Sequence, residues 1–275
     1  MMVKKASGAL EPYSRGKLLR SCVKAGLNPI QARQVASQVE RNLYDGVETR
    51  EIYRLMVDAI KKLNPATASK YTLKQAIMSL GPTGFPFETY VCRILEAYGY
   101  RARLRTKIKG RCVEHEVDVL AEKQSLTRVR IMVECKYHNA PGVYTGLKEA
   151  MYTYARFLDL QEGSRLGLCE PIHQAWLVSN TKCSEEAKAY AKCQGLKIIA
   201  WKYPPDGGLE KMVQRKKLYP ITILGDLSPE QLERLSENHV MLTEDLIRMD
   251  AETLAKSTHI PMRKILEMKR FASTL

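Results

Sequence analysis

The 275-residue chain contains no apolar run approaching the roughly 20 residues that a membrane-spanning helix needs. Its first residues also lack the apolar core of a secretory signal. No CxxC pair occurs among the seven cysteines, Cys22, Cys92, Cys112, Cys135, Cys169, Cys183 and Cys193. That absence, with their odd number, argues against a zinc knuckle or a disulfide framework and for reduced, mostly buried thiols. The Walker phosphate-loop pattern (Gly, four residues, Gly-Lys, then Ser or Thr) is missing, so a P-loop ATPase is not supported. Neither a low-complexity linker nor a disordered basic tail is present. What remains is a soluble protein with no membrane partner, expected in the cytoplasm.

Positive charge is in excess. Lys and Arg number 44 against 30 Asp and Glu, a formal net charge of +14 spread along the chain. This favours a polyanionic partner, because phosphate contacts supply most non-specific nucleic-acid affinity. Charge alone does not separate such a binder from a merely basic soluble protein.

Three segments follow one another, read as domains 1–80, 81–205 and 206–275. The first opens with a Gly-containing hairpin over Val3–Glu11, followed by helical periodicity at 17–25, 29–44, 49–63 and 66–80. Pro29 suits a first helical turn, and Thr49 stands where a cap belongs. The breaker cluster Gly81-Pro82-Thr83-Gly84-Phe85-Pro86 closes this segment. Strand patterns then occupy 101–109, 113–122, 129–138, 174–179 and 196–201, with helices at 87–98, 146–160 and 184–193. That order predicts an α/β sheet with helices packed on it. A turn-rich connector, Pro204–Gly208, leads to a helical tail over 218–271, with starts at Ser228-Pro229, Thr243, Asp250 and Pro261.

Alternation along two strands suggests a site. In Val129–Lys136 the odd positions are apolar, so Glu134 and Lys136 share the opposite face. In His115–Leu120, Val117 and Val119 are expected in the core while Glu116 and Asp118 project the other way. If these strands are neighbours, three or four carboxylates and a lysine converge. Two carboxylates suit Mg²⁺, leaving positions for water and a substrate phosphate. The carbonyl of Cys135 stands ready as a further ligand, and a lysine beside the ion can orient or deprotonate water. Taken alone, Glu134 and Lys136 would equally be a salt-bridged pair on a half-exposed strand. Arg101, Arg103, Arg105, Lys107, Lys109 and Arg111 alternate just before the Asp118 strand and would form one basic face for a phosphate backbone.

Gly99-Tyr100, His115–Ala121 and Val133–His138 resemble the Mrr-type branch of the PD-(D/E)xK restriction-endonuclease-like nucleases, as do Ala175–Thr181, the 184–193 helix and Leu196–Ile199. The resemblance covers about 85–203. It implies Asp118 and Glu134 as metal ligands, Lys136 as the catalytic lysine and Glu88 as an auxiliary carboxylate. Many members have Gln where Glu134 stands. His115 and His138 flank the site, as metal or phosphate contacts or simply as strand-end histidines.

Val3–Leu18, with Val47–Ile52 and Tyr71, resembles an ATP-cone, a regulatory domain that binds ATP or dATP. The resemblance places Val3, Lys5, Glu11, Ser14, Lys17, Leu18 and Thr49 at nucleotide-contacting positions, Lys5 and Lys17 toward phosphates. Ala6 replaces a usual basic residue, and Tyr53 stands where histidine is common. The tail resembles tandem helix-hairpin-helix units, although Asn238-His239 and Thr258-His259 occupy the places of the hairpin glycines.

The expected architecture is therefore α/β: a small, mainly helical ATP-cone domain, a restriction-endonuclease-like αβββαβ core and a helical C-terminal segment. The expected function is a Mg²⁺- or Mn²⁺-dependent DNA endonuclease, homo-oligomeric and regulated by an adenine nucleotide that is not hydrolysed. The alternatives are a non-catalytic nucleotide-sensing DNA-binding regulator and a nuclease acting on RNA.

Overall fold

In the computed structural model, residues 1–5, 9–25, 27–63, 65–81, 83–124, 128–140, 142–224 and 227–275 are described. The Ala6-Ser7-Gly8 turn of the expected hairpin and Pro82 of the breaker cluster lie outside the described residues, as does the Tyr71 side chain. The chain divides into two compact units, 1–73 with 274–275, and 74–273.

The first unit begins with β1 (Met2–Lys4) and β2 (Leu10–Pro12), paired antiparallel, Val3 opposite Glu11. Ser14 accepts the Lys17 amide at 3.3 Å and so starts α1 (Arg15–Lys24). Asn28 and Gln31 cap each other's amides at the head of α2 (Pro29–Glu40), with Pro29 in its first turn. A short β3 (Val47–Glu48) joins β1 in parallel, a pairing not expected from sequence. It runs into α3 (Thr49–Leu63), and α4 (Pro65–Met78) follows. Thr49 opens α3 from within; its hydroxyl donates to the Lys4 carbonyl at 3.2 Å. The helices close on Leu18, Cys22, Val35, Val39, Met56 and Ile60, whose spacing of four residues within each helix puts each pair on one face.

The second unit continues with α5 (Phe85–Ala97), β4 (Arg101–Lys109), β5 (Glu114–Gln124), β6 (Arg128–Lys136), β7 (Tyr144–Thr145) and α6 (Leu147–Arg165). Then come β8 (Gln174–Ser179), β9 (Lys182–Cys183), α7 (Glu185–Gln194) and β10 (Lys197–Ile199). Among the described residues the main sheet has the order β10-β8-β6-β5-β4, antiparallel from β4 to β6 and parallel from β6 to β10. The expected αβββαβ order is present. Leu120, Met132, Ala175, Leu177 and Ile198 pack with Ala150, Phe157 and Leu160 of α6 and Ala187 and Ala191 of α7. Val119 and Val133 are cross-strand partners and point to the other face, where α5 runs along β4 to β6. Central β6 is thus buried on both faces.

Strict alternation fails where it matters most. Val117 and Leu120, three residues apart, join the same core cluster. The β4–β5 register has a gap between Leu104↔Val119 and Thr106↔Val117. Asp118 and Arg105 fall in that gap, and Arg105 has φ +43°. The strand changes face at Asp118, so Val117 and Val119 do not share a core face as expected.

One helix escaped the sequence reading, α8 (Leu209–Lys216), which lies between the connector Pro204–Gly208 and the tail read from 218; of its eight residues only Leu209 and Val213 are buried. A short 3₁₀ turn over Ile221–Leu224 precedes α9 (Pro229–Glu237), α10 (Thr243–Arg248), α11 (Ala251–Thr258) and α12 (Met262–Ala272). Their core includes Ile221, Leu232, Leu246, Leu254 and Ile265. Tyr90 of α5 donates its hydroxyl to the Leu218 carbonyl at 2.8 Å, and Arg93 pairs with Asp245 at 2.6 Å. His239 and His259 have left-handed backbones, φ +59° and +53°, at the two positions expected for hairpin glycines.

Candidate active site

Glu134 lies near the C-terminal end of β6, only 3% exposed. Its Oε1 accepts from Lys136 Nζ at 2.7 Å, which joins the two residues that alternation had put on one face. Its Oε2 is bound by the guanidinium of Arg156, which reaches across from α6. On the neighbouring strand, Asp118 Oδ2 accepts the backbone N–H of Cys135 at 2.7 Å. The break in β5 therefore delivers Asp118 to the residue between Glu134 and Lys136.

Glu88, from the first turn of α5, completes the cluster and is held by Arg105 Nη1 at 3.2 Å. Two of these carboxyls, Asp118 and Glu88, hold their protons more tightly than usual. Burial pushes the Asp118 carboxyl up to about 7; Glu134 and Glu88 add to that, against the pull of the Cys135 amide and Arg156. Glu88 is raised too, first by burial and then by Glu116 and Glu134, with Arg105 opposing. Burial pulls the Lys136 ammonium down, but its bond to Glu134 and the charge of Asp118 outweigh this and raise it. Lys136 therefore stands as a cation and donates.

Oxygen donors of this kind suit a hard divalent ion. Among the described residues no group of three or more His, Cys, Asp and Glu side chains could hold a metal ion by itself. Asp118, Glu134 and the Cys135 carbonyl could hold such an ion only if water and substrate completed its shell. Burial first, and then repulsion from Glu134 and Glu88, disfavour the charged Asp118 carboxylate, and a divalent ion there would offset both.

Other expected residues are engaged elsewhere. Glu116 is exposed, and its carbonyl, not its carboxylate, binds Arg156. His115 Nε2 shares a hydrogen bond with Asp159 at 2.8 Å, and His138 Nε2 one with Thr145 at 3.1 Å. The basic row does not form the single free face expected of it. Arg111 falls beyond the end of β4 and pairs with Glu162, Arg105 pairs with Glu88 and Arg103 with Glu122.

In the first unit, Val3, Lys5, Glu11, Ser14, Lys17, Leu18 and Thr49 all line one cavity of about 250 Å³, together with Tyr53. Glu11 bridges both lysines there, Lys5 at 3.0 Å and Lys17 at 3.2 Å, and its carboxyl is lowered by them.

Comparison with known proteins accounts for nearly the whole chain. Residues 1–77 match the ATP cone domain, 82–204 the restriction endonuclease (Mrr catalytic) domain, and 219–275 the AF1548-like C-terminal domain. An uncharacterized protein of Archaeoglobus fulgidus is 44% identical over 164 residues, 60% of this chain and 87% of that protein. The crystal structure of the protein of unknown function AF1548 is similar at 40% identity and a TM-score of 0.60, over 70% of this chain and 97% of that one. The chain belongs to the AF1548-like family. A slighter likeness, to MspJI restriction endonuclease in complex with a 27-mer oligonucleotide, bears on neither fold nor site (15% identity, TM-score 0.38, 72% of this chain and 39% of that one).

Two side chains of this AF1548-like chain went unnoticed in the sequence. Arg156 binds Glu134 and the Glu116 carbonyl, and its Nε approaches His115 Nδ1 at 3.5 Å. Tyr152, one helical turn earlier, lies under both cations: Lys136 Nζ is 5.6 Å and Arg156 Cζ 5.5 Å from its ring centroid. A signal existed. Arg156 sits in the stripe of α6 that otherwise holds Ala150, Thr153, Phe157 and Leu160, and a buried cation in an apolar stripe needs a partner.

Proposed function

We propose that this protein is a metal-dependent DNA endonuclease whose activity responds to an adenine nucleotide bound in its ATP cone. The observation that carries this reading is the convergence of Asp118, Glu134 and Lys136 from adjacent strands, tied by the 2.7 Å bonds from the Cys135 amide to Asp118 and from Lys136 to Glu134. Asp118, Glu134 and the Cys135 carbonyl would hold Mg²⁺ or Mn²⁺, which supplies a Lewis acid for the scissile phosphate and a more acidic water.

The chain's own residues do the rest. Lys136 donates from its ammonium to the attacking water or to a non-bridging phosphate oxygen, offsetting charge that grows as the phosphorus is attacked. Arg156 fixes the Glu134 carboxylate against β6, and Glu88 stands by as a further carboxylate under Arg105. Water attacks in line and leaves a 5′-phosphate and a 3′-hydroxyl, as the family resemblance implies. Lys5 and Lys17 offer cations to a triphosphate in the first unit, where ATP or dATP acts as effector and is not consumed. The reading places the protein in the cytoplasm, acting as a homo-oligomer.

Cleavage of duplex DNA, single-stranded DNA and RNA, with Mg²⁺ or Mn²⁺ and with or without ATP and dATP, tests this. Asp118→Ala and Lys136→Ala should each reduce DNA cleavage at least about a hundredfold with folding retained. Undiminished cleavage in both would remove the assigned site. DNA binding without cleavage, indifferent to Glu134→Gln, would favour a regulator instead. ATP should raise the unfolding midpoint of the wild type and lose that effect in Lys17→Ala.

A further inference from the structure

Beside the carboxylate cluster, between α5 and α9, lies a cavity of about 570 Å³ for which the cleavage chemistry has no use. Phe85, Leu104, Arg105 and Glu116 line it from the nuclease side; Glu233 and His239 line it from the tail. The cavity abuts the active site directly. Arg105 reaches from it to Glu88 at 3.2 Å, and Glu116 is two residues from Asp118 on the same strand.

Phe85 is the odd residue. It opens α5 with 57% of its surface exposed, while its neighbours Pro86 and Phe87 are buried. The Arg105 guanidinium lies over its ring, 5.3 Å from the centroid. An exposed aromatic face backed by a stacked guanidinium is a surface on which a flat, polarisable ring can lie.

The charges around the cavity narrow the choice of ligand. Glu116, Glu230, Glu233 and Glu237 all line it, Glu230 paired with Arg234 at 2.6 Å, against His239 and Arg105, which is paired with Glu88. Such a lining repels phosphate but accepts hydrogen bonds from neutral donors. A nucleic acid has one part that is flat, neutral and rich in N–H groups, namely its bases. Adenine, cytosine and guanine each carry an exocyclic amine, and carboxylates accept from such amines.

We propose that this cavity takes a nucleobase swung out of the DNA strand being cut, stacked on Phe85 and hydrogen-bonded to the carboxylates around it. The proposal rests on the nuclease reading and specifies its substrate: DNA with an unpaired base next to the cut is favoured over perfect duplex. Extruding a paired base costs stacking and pairing free energy that an already unpaired base does not require.

The test separates binding from cleavage. Wild-type protein in EDTA, where no cutting occurs, is titrated with a duplex carrying 2-aminopurine as a single-base bulge and with the fully paired duplex of the same sequence. The bulged duplex should bind on the order of tenfold tighter, with its fluorescence quenched by stacking. Phe85→Ala should lose both effects and Phe85→Trp should keep them. Because Phe85 is largely exposed, its removal leaves no hole in the core, and circular dichroism verifies folding. Equal affinity for the two duplexes, or a preference that survives in Phe85→Ala, overturns the proposal. Cleavage is scored in a separate reaction with Mg²⁺. An inactive protein that still prefers the bulge through Phe85 supports the cavity and refutes the nuclease reading; an active one without the preference does the reverse.

Discussion

Arg156 of α6 and Glu134 of β6 form a buried ion pair, the guanidinium holding Oε2 while Lys136 holds Oε1. Both partners are at most 9% exposed, so neither charge has water to fall back on. Removing Arg156 leaves Oε2 without its partner and Glu134 to Lys136 alone, a loss at the lower end of the about 3–5 kcal/mol typical of a broken buried pair.

Arg156→Ala should therefore unfold more easily than wild type by about 3 kcal/mol or more. A divalent cation can replace part of the missing charge. Thermal unfolding in Mg²⁺ and in EDTA should show a larger Mg²⁺-dependent rise for Arg156→Ala than for wild type. An equal rise in both would mean that the guanidinium and the ion do not share Glu134.

Asp159 clamps the turn between β4 and β5. Burial pushes its carboxyl up, but the Cys112 amide at 2.8 Å, the His115 ring and the Val113 amide outweigh burial and hold it at about 2. A depressed carboxyl contributes stability above its unfolded pKa and loses it as the pH falls through the folded value. The contribution should be complete above about pH 4 and gone near pH 2. Urea unfolding against pH should show that acid limb in wild type and a flatter one in Asp159→Asn.

Gly163 lets α6 approach the same turn without a side chain between them. A Cβ there would lie 2.7 Å from the Gly110 carbonyl carbon and 2.9 Å from its Cα. These are backbone atoms, which cannot swing aside. Gly163→Ala should thus destabilise by about 1–3 kcal/mol despite its better helix propensity, measured as a lower urea midpoint.

His259 ends α11 in the left-handed region at φ +53°. A β-branched residue there clashes with its own backbone, so His259→Val should cost about 1–2 kcal/mol. His259→Gly should be tolerated or slightly stabilising, because glycine adopts that φ freely. Comparing the melting temperatures of the two variants separates backbone strain from any loss of the imidazole.

By itself, the sequence determined the order of the longer helices and of the five strands of the main sheet. Pro29, Ser228 and Asp250 announce the helices they open, and the apolar runs of β5, β6 and β8 place them inside a sheet, because helix starts and periodicity act over a few residues. Glu134 and Lys136 were legible as a pair for the same reason, two residues apart on one strand. α8 escaped because its apolar signal is only Leu209 and Val213 behind a turn-rich stretch. What only the tertiary structure decided is the company these residues keep. The change of face that brings Asp118 to the Cys135 amide coincides with the left-handed backbone of Arg105 in the adjacent strand, and Arg156 reaches Glu134 from 22 residues further along the chain. Local pattern fixes which way a side chain leaves its own backbone; which charge it meets there is set by packing between distant segments.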